Sequence, residues 1–260
     1  MAIERADFLA NVAGTPLGNP AFVGDVHGGA LLNAQGGTML VAQTSLIQNF
    51  VGVTGALSYA RSGGGIANWG DLLVRESLVA HGGIGGASVQ VCSYPGAGGG
   101  IYNSGTLGLL NATVTGNTVG CILSGIEPNG VHTEGPAALQ HVTLVDDDLV
   151  TTGVPVELAN TLFDGASCIG GNFVSGGGNL EAGADTCGLD GPSDQPTAAE
   201  PRLGPLDENG GPTQTFPLLV GSPARDAGFA AACSTIDQRG ANRDDGRCDI
   251  GSFEHRPGDP

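Results

Sequence analysis

The sequence predicts an all-β fold, a right-handed parallel β-helix with an irregular, disulfide-stapled C-terminal cap. Three observations predict it: short apolar alternations between Gly, Asn and Ser corners, a motif that repeats at constant spacing, and no helical periodicity between the repeats. A strand that alternates apolar and polar residues buries only one face, so one coil of such strands needs copies above and below it. The sequence therefore indicates a stack of coils.

Residues 98–117 form the clearest coil, with three short apolar strands. Period-two alternation predicts that Ile101 points inward on the first strand, Leu107 and Leu109 on the second, and Val114 on the third. Small or polar residues separate them and are expected to face outward.

The repeat is marked by Asn33, Asn68 and Asn103, which recur every 35 residues behind a Gly-rich pair. Two interpretations remain open for these asparagines: an inward ladder, or turns in the left-handed conformation. Both are structural, since repetition in every coil is what stacking requires. Trp69 and Tyr102 adjoin this corner, where exposed positions are expected.

The composition fits a narrow, stacked interior. The chain has 47 Gly and 15 Pro, yet 40% of its residues are hydrophobic and only 5% are aromatic, so Val, Leu, Ile and Ala must fill the core. We divide the chain into a lead-in or truncated coil (1–26), β-helix coils with loop excursions (27–187), and a C-terminal cap of the same domain (188–260).

The excursions at 51–62 and 85–96 are predicted to leave the stack from one corner. Loops clustered on one face of a solenoid commonly carry binding. Tyr59, a ring able to stack on a carbohydrate, and Arg61, at the base of the first excursion, are the candidate binding residues.

The charge limits the classes of partner. The formal net charge is −17 and all nine basic residues are arginines. An acidic surface repels nucleic acid and anionic membranes, and a P-loop is excluded because its lysine is missing. No apolar run approaches the roughly 18 residues of a membrane span, so we expect no membrane insertion.

Six cysteines are present without a C-x-x-C pair, which argues against a zinc ribbon or a thioredoxin-like site. Their order predicts disulfides between neighbours in the sequence: Cys92 with Cys121, Cys168 with Cys187, and Cys233 with Cys248. Disulfides favour an oxidising compartment, so we expect a secreted or cell-surface protein. The first residues lack the features of a signal peptide, and we expect the chain to be cut from a longer exported precursor.

Asp146 and Asp148 are the candidate metal ligands. They belong to an Asp-Asp-Asp run directly after a predicted strand, and carboxylate oxygens suit Ca²⁺. Enzymes of the β-helical, pectate-lyase-like type use calcium on a strand face. The alternative is a solvated turn at the end of the strand.

Five ordered motifs mark the C-terminal region: LGPL (203–206), NGGPT (209–213), GSPARDAG (221–228), DQRG (237–240) and CDIGSFE (248–254). Together they resemble the signature of the choice-of-anchor Q domain family, and the upstream coils resemble polymorphic outer-membrane-protein-like β-helix repeats. Arg225 departs from the aliphatic residue common in that family. The resemblance implies a secreted or surface-displayed bacterial β-helix with no established common activity.

The same region concentrates charged side chains: Arg225, Asp226, Asp237, Arg239, Arg243, Asp249 and Glu254. They could clamp a carboxylate or sugar acid, because arginine pairs bidentately with carboxylates. We favour a cap in which these groups satisfy one another and close the open end of the stack.

These observations favour a non-catalytic, secreted or surface module that presents loops for adhesion or for binding an extracellular polysaccharide or surface glycan. Two alternatives remain: a polysaccharide lyase or glycoside hydrolase of the pectate-lyase-like type, and an architectural stalk or filament subunit. The sequence has neither a G-x-S-x-G elbow nor an H-E-x-x-H motif. It predicts no cofactor other than Ca²⁺ and leaves the oligomeric state open.

Overall fold

The computed structural model describes residues 1–14, 26–52, 61–84, 98–121, 125–128, 130–243 and 246–259. Within these residues the protein is all-β, with mainly parallel strands in stacked sheets, and its helix content is one 3-10 turn at Ala230–Ala232. The predicted all-β class is therefore confirmed.

The described strands are, in chain order, β1 (Ala2–Glu4), β2 (Asp7–Leu9), β3 (Val12–Gly14), β4 (Val26–His27), β5 (Leu31–Asn33), β6 (Thr38–Ala42), β7 (Ser45–Ile47), β8 (Phe50–Gly52), β9 (Arg61–Ser62), β10 (Ile66–Asn68), β11 (Asp71–Arg75), β12 (Leu78–Ala80), β13 (Gly83–Ile84), β14 (Ile101–Asn103), β15 (Thr106–Thr115), β16 (Thr118–Cys121), β17 (Gly125–Pro128), β18 (Val131–Thr133), β19 (Ala137–Val145), β20 (Leu149–Thr151), β21 (Val156–Ala159), β22 (Leu162–Asp164), β23 (Cys168–Ile169), β24 (Phe173–Gly177), β25 (Leu180–Ala182) and β26 (Gln195–Ala198).

These strands form four sheets. The long sheet has 13 strands, in the order β1-β6-β11-β15-β19-β22-β25-β26, with β2, β7, β12, β21 and β24 paired beside this path. A six-stranded sheet has the order β5-β10-β14-β18-β20-β23, a five-stranded sheet the order β3-β8-β13-β16-β17, and β4 pairs with β9. Pairing between these strands is parallel except between β16 and β17.

The chain visits the sheets in a repeated order. It passes from the six-stranded sheet (β5) to the long sheet (β6 and β7) and the five-stranded sheet (β8), and then returns to the six-stranded sheet with β10. On this next pass β10, β11, β12 and β13 pair with β5, β6, β7 and β8. Equivalent residues of successive passes therefore form columns, and neighbouring residues within a column lie about 4.8 Å apart.

The core lies between the sheets and is filled by aliphatic side chains. Ile101, Leu107, Leu109 and Val114 are each at most 1% exposed. The predicted inward positions of residues 98–117 are confirmed. Because these side chains face similar ones in the passes on either side, each pass completes the burial of its neighbours.

The repeated asparagines form a buried ladder. Asn33 Nδ2 donates to Asn68 Oδ1 at 2.7 Å, and Asn68 Nδ2 donates to Asn103 Oδ1 at 2.6 Å. Asn103 Nδ2 continues the ladder by donating to Thr133 Oγ1 at 2.9 Å. None of the three asparagines has a positive φ, so the ladder interpretation is correct and the left-handed turn is not.

Left-handed residues occupy two other corners of the long sheet. The residue that follows equivalent strand positions in successive passes has φ between 48° and 52°; these residues are Arg5, Gln43, Glu76, Asn111, His141 and Asn160. A second column has φ between 52° and 63° and consists of Ala10, Gln48, His81, Gly116, Asp146 and Gly165. Positive φ is uncommon outside glycine. Its recurrence at one register shows that the corner dictates it.

Two of the predicted disulfides are present, Cys168–Cys187 and Cys233–Cys248, which are 19 and 15 residues apart. Cys92 lies outside the described residues, so its predicted pairing with Cys121 does too. Two disulfides are typical of an oxidising environment. Among the described residues, no helix is long and apolar enough to cross a membrane.

The C-terminal region departs from the predicted end cap. β26 pairs with β25 at the end of the long sheet, but the chain beyond it lies along the side of the stack. Thr213 Oγ1 donates to the Glu76 carbonyl oxygen, and Gln238 accepts a bond from Thr113 in the middle of the long sheet. We call residues 199–243 and 246–259 the flank segment. The flank segment thereby supplies hydrogen-bond partners to buried polar groups of the long sheet.

Candidate functional site

A groove lies on the outer face of the long sheet, over β19, β21 and β24. Its volume is about 190 Å³, and its lining is built by the residues Ala138, Leu139, Gln140, Glu157, Leu158, Ala159, Val174, Ser175 and Gly176. Outward positions that carry Ala or Gly leave room between the larger side chains. The groove thus depends on small outward residues beside larger ones, since Ala138 is level with Glu157 and Val174, and Ala159 is level with Gln140.

Polar groups border this groove. Gln140 Nε2 donates to the Ala232 carbonyl oxygen at 2.7 Å, which ties the groove to the 3-10 turn of the flank segment. Ser175 Oγ donates to Asp194 Oδ2 at 2.5 Å, and Glu157 is exposed. Ser175 Oγ also accepts bonds from the Gly177 backbone N–H and from Asn179 Nδ2, so it is used within the protein. A shallow apolar floor edged by Gln140 and Glu157 suits a ligand that offers both apolar faces and hydroxyl groups.

Glu157 is the one carboxylate among the described residues that line the groove. The exposed Asp71 lies on β11, three strand spacings from β21, a separation of at least about 14 Å. The paired carboxylates of glycosidases lie roughly 5–9.5 Å apart. Asp71 therefore lies too far from Glu157 to form such a pair with it.

A second outward feature is a column of rings at the corner of the six-stranded sheet. Trp69 and Tyr102 have ring centroids 5.4 Å apart, and Tyr102 stacks on His132 at 6.0 Å with an interplanar angle of 22°. Tyr102 is only 8% exposed, so the expectation that it is exposed was wrong. Tyr102 and His132 stack face to face, so this pair packs the corner and offers no free ring face between its members.

Glu134 interacts with two members of this column, Tyr102 and His132. The Tyr102 hydroxyl donates to Glu134 Oε2 at 2.9 Å. Burial, and secondarily this bond, raise the pKa of Tyr102 to about 12, while burial lowers the pKa of His132 against the attraction of Glu134. Neutral rings at neutral pH are compatible with close stacking.

The predicted metal ligands have separate structural roles. Asp146 is exposed in the left-handed corner column, with φ of 54°, and Asp148 Oδ1 accepts the Ser167 backbone N–H at 2.9 Å. Asp147 between them is fully buried and accepts bonds from the Asn117 side chain and backbone at 2.6 and 2.8 Å. Burial raises the pKa of Asp147 despite those bonds. These contacts give the Asp-Asp-Asp run a structural role at this corner. They agree with the alternative of a turn at the end of the strand, except that the middle residue, Asp147, is buried.

Of the predicted loop residues, Tyr59 lies outside the described residues. Arg61 begins β9, and its backbone pairs with Val26 of β4. The segments 15–25, 53–60, 85–97 and 122–124 each follow a strand of the five-stranded sheet. The predicted excursions at 51–62 and 85–96 thus lie largely outside the described residues, apart from residues 51–52 in β8 and 61–62 in β9.

Arg239 is enclosed by the flank segment. Its Nε donates to Asp237 Oδ2 at 2.8 Å, and its guanidinium lies 3.7 Å from the centroid of the Phe253 ring. Its remaining nitrogens donate to the Asn209 and Glu254 carbonyl oxygens and to Asp259.

Arg243 is fully buried. It donates to Glu254 Oε2 at 2.5 Å and to the carbonyl oxygens of Ile236, Asp249 and Gly251. Burial raises the pKa of Glu254 to about 7, opposed by the charge of Arg243. These donors are used within the protein and are not available to clamp a sugar acid.

The rest of the predicted charged cluster is paired in the same manner. Arg225 contacts His255 Nδ1 at 2.7 Å, and the Asp226 backbone N–H donates to Asp249 Oδ1 at 2.7 Å. The charged groups do satisfy one another, but along the flank and not at the end of the stack.

Sequence reasoning missed His141, which is fully buried. Among the described residues, His141, Cys233 and Cys248 are the one group of three potential metal-ligating side chains whose donor atoms all lie within 4.8 Å of one another. The spacing of these residues in the sequence gave no signal, because the flank segment brings the cysteines to β19.

No family model, curated protein or solved structure matches this chain. The functional conclusion therefore depends on the geometry.

Proposed function

We propose that this chain is a non-catalytic module that binds an extracellular polysaccharide or surface glycan in the groove over β19, β21 and β24. The observation that carries the proposal is the groove itself: a floor that includes small residues, and polar side chains at its edge, Gln140 and the one lining carboxylate, Glu157. Sugars present apolar C–H faces to such floors and hydroxyl groups to such edges.

We further propose that the stacked sheets form a right-handed parallel β-helix. Three sheets visited in constant order, with each strand parallel to its counterpart in the previous pass, support this architecture. Crossovers between parallel strands of one sheet are right-handed in about 98% of cases, which supports the handedness.

The cellular setting belongs to the same proposal. Two disulfides and a net charge of −17 support a protein secreted from, or displayed on, a bacterial cell, in line with the resemblance to the choice-of-anchor Q family. An acidic surface favours glycans that are neutral or carry amino groups over polyanions.

A glycan microarray followed by calorimetric titration tests binding. We expect Ala138→Trp, which fills the groove, to abolish binding to any glycan that scores positive. Leu73→Trp is the matched control, because Leu73 is an exposed residue on the same face two strands away, and it should bind as the wild type does. Equal loss in both variants, or no bound glycan, would reject the groove.

The same panel separates the alternatives. Release of unsaturated uronic products, followed by ultraviolet absorbance with and without Ca²⁺, would show a lyase and overturn the non-catalytic proposal. End-to-end assemblies in electron micrographs, without glycan binding, would instead support a filament subunit.

A further inference from the structure

The corner at His141 holds a group of side chains that the proposed function does not use. His141 is in the left-handed corner column after Gln140, with φ of 51°. The flank segment lays the Cys233–Cys248 disulfide against its imidazole. Cys248 is 2% exposed and Cys233 is partly exposed, so the group is buried with one accessible side.

The tautomer of His141 follows from its partners. Nδ1 lies 3.3 Å from the Gly251 carbonyl oxygen, which can only accept, so Nδ1 carries the proton. Nε2 accepts the Ser234 backbone N–H at 3.2 Å and is therefore unprotonated. A histidine that donates Nδ1–H to a carbonyl is in the tautomer in which metal-ligating histidines are held. Its Nε2 lone pair accepts the Ser234 N–H and adjoins Asn160 Nδ2 here, so a cation would have to replace these contacts.

We propose that His141, Cys233 and Cys248 form a redox-gated site for a thiophilic divalent cation such as Zn²⁺, which binds once the disulfide is reduced. A dithiol reductant supplies two electrons and two protons, the S–S bond breaks, and the reductant becomes a disulfide. The two thiols then lose their protons as the cation forms two metal–sulfur bonds and one bond to His141 Nε2.

The dimensions suit this shell. Zn²⁺ binds thiolate sulfur at about 2.3 Å and imidazole nitrogen at about 2.0–2.1 Å, so its ligands lie roughly 3.5–3.8 Å apart. The three donor atoms already lie within 4.8 Å of one another, and reduction lets the sulfurs separate to the required distance. The Asn160 carboxamide adjoins two of these donor atoms, with its Nδ2 3.2 Å from His141 Nε2 and 3.7 Å from Cys248 Sγ.

The charge balance also suits a divalent ion. Arg243 lies beside His141 and disfavours added positive charge there. Two thiolates neutralise a divalent cation, so the occupied site adds no net charge next to that arginine.

Cobalt, a spectroscopic substitute for zinc, tests the site. We expect the protein reduced with a phosphine to bind Co²⁺ with thiolate-to-cobalt charge-transfer absorption, and the oxidised protein to show none. The signal should be lost in Cys233→Ser/Cys248→Ser and kept in Cys168→Ser/Cys187→Ser, the matched control for the other disulfide.

His141→Asn tests the third ligand while keeping a residue that tolerates positive φ. We expect Co²⁺ affinity to fall by more than the roughly 10–100-fold that loss of an outer-shell partner costs, with His81→Asn, an exposed residue of the other corner column, unchanged. Circular dichroism of each variant verifies the fold. Failure of the reduced protein to bind Co²⁺, or equal affinity in His141→Asn, would overturn the proposal and leave glycan binding untouched.

Discussion

At the residue scale, single buried polar side chains hold successive passes in register. Asn33, Asn68 and Asn103 each donate to the next pass, and Asn117 does the same toward Asp147 at another corner. Such a ladder fixes register because a shift of one residue would leave every amide without its partner.

Replacing the middle rung tests this role. We expect Asn68→Ala to lower the free energy of unfolding by about 1–3 kcal/mol, because the bonds from Asn33 Nδ2 to Asn68 Oδ1 and from Asn68 Nδ2 to Asn103 Oδ1 are both lost in a buried corner. Urea titration measures the change. Asp71→Ala, an exposed residue three positions later, should stay within about 0.5 kcal/mol of the wild type. Equal stability of the two variants would contradict the ladder's importance.

His141 makes stability depend on pH. Burial, aided by the charge of Arg243, lowers its pKa from 6.5 to about 3. The unfolded chain therefore binds a proton between pH 6.5 and 3 that the folded protein does not bind, and stability falls as pH falls through that window.

Comparison with His141→Asn isolates this effect. As the pH falls from 6.5 to 3, we expect the free energy of unfolding of the wild type to decrease by up to about 1.4 kcal/mol per pH unit more than that of His141→Asn. Glu254, whose raised pKa of about 7 acts in the opposite direction between pH 4.5 and 7, is common to both proteins and cancels in the difference. Chemical unfolding at several pH values provides the measurement, and parallel curves would contradict the assignment.

The ladder could be predicted from the sequence and the His141 corner could not. Asn33, Asn68 and Asn103 repeat at constant spacing, and a repeated polar residue in a stacked coil has few roles. His141 depends on Ser234 and Gly251, about a hundred residues later in a segment without periodicity. Its burial is a tertiary contact that no local pattern records.

At the element scale, glycines set the distance between passes at one corner. A Cβ at Gly29 would clash with the carbonyl oxygen of Gly64, and a Cβ at Gly64 with that of Gly99. The Gly-rich pair that opens each repeat is thus required by close backbone approach. The sequence predicted the repeat from these residues, and the structure supplies the steric reason.

Gly64→Ala is expected to be destabilising by about 1–3 kcal/mol, because the added methyl group meets rigid backbone of the next pass. Gly108→Ala is the matched control, since its Cβ would approach only the flexible tip of Leu73 at 3.0 Å. Thermal unfolding of both proteins distinguishes them. A Gly64 variant as stable as the Gly108 variant would show that the corner can widen.

At the scale of the whole molecule, the flank segment acts as a lateral clasp over several passes. It bonds to Glu76, Thr113 and Thr143, which belong to different passes of the long sheet, and it packs Leu218, Ile250 and Phe253 over Leu162 and Leu180. The sequence identified its charged residues but placed them at the end of the stack. Charge composition predicts that such groups pair, and it carries no information on which face of a repetitive surface they cover.

Arg243 tests the clasp as a unit. It is fully buried, pairs with Glu254, and binds three carbonyl oxygens of the same segment. We expect Arg243→Ala to lower the free energy of unfolding by about 3–5 kcal/mol, because Glu254 is left as a buried carboxylate without its partner.

Arg202→Ala provides the comparison, because Arg202 is an exposed arginine of the same segment, and its effect should be small. Hydrogen exchange adds a spatial readout: loss of the clasp should raise exchange along β15 and β19, where Thr113 and Thr143 bond to the flank segment, and leave β5 and β10 protected. Uniform exchange through all sheets would instead mean that the stack and its flank segment unfold as one cooperative unit, with no separate lateral role for the segment.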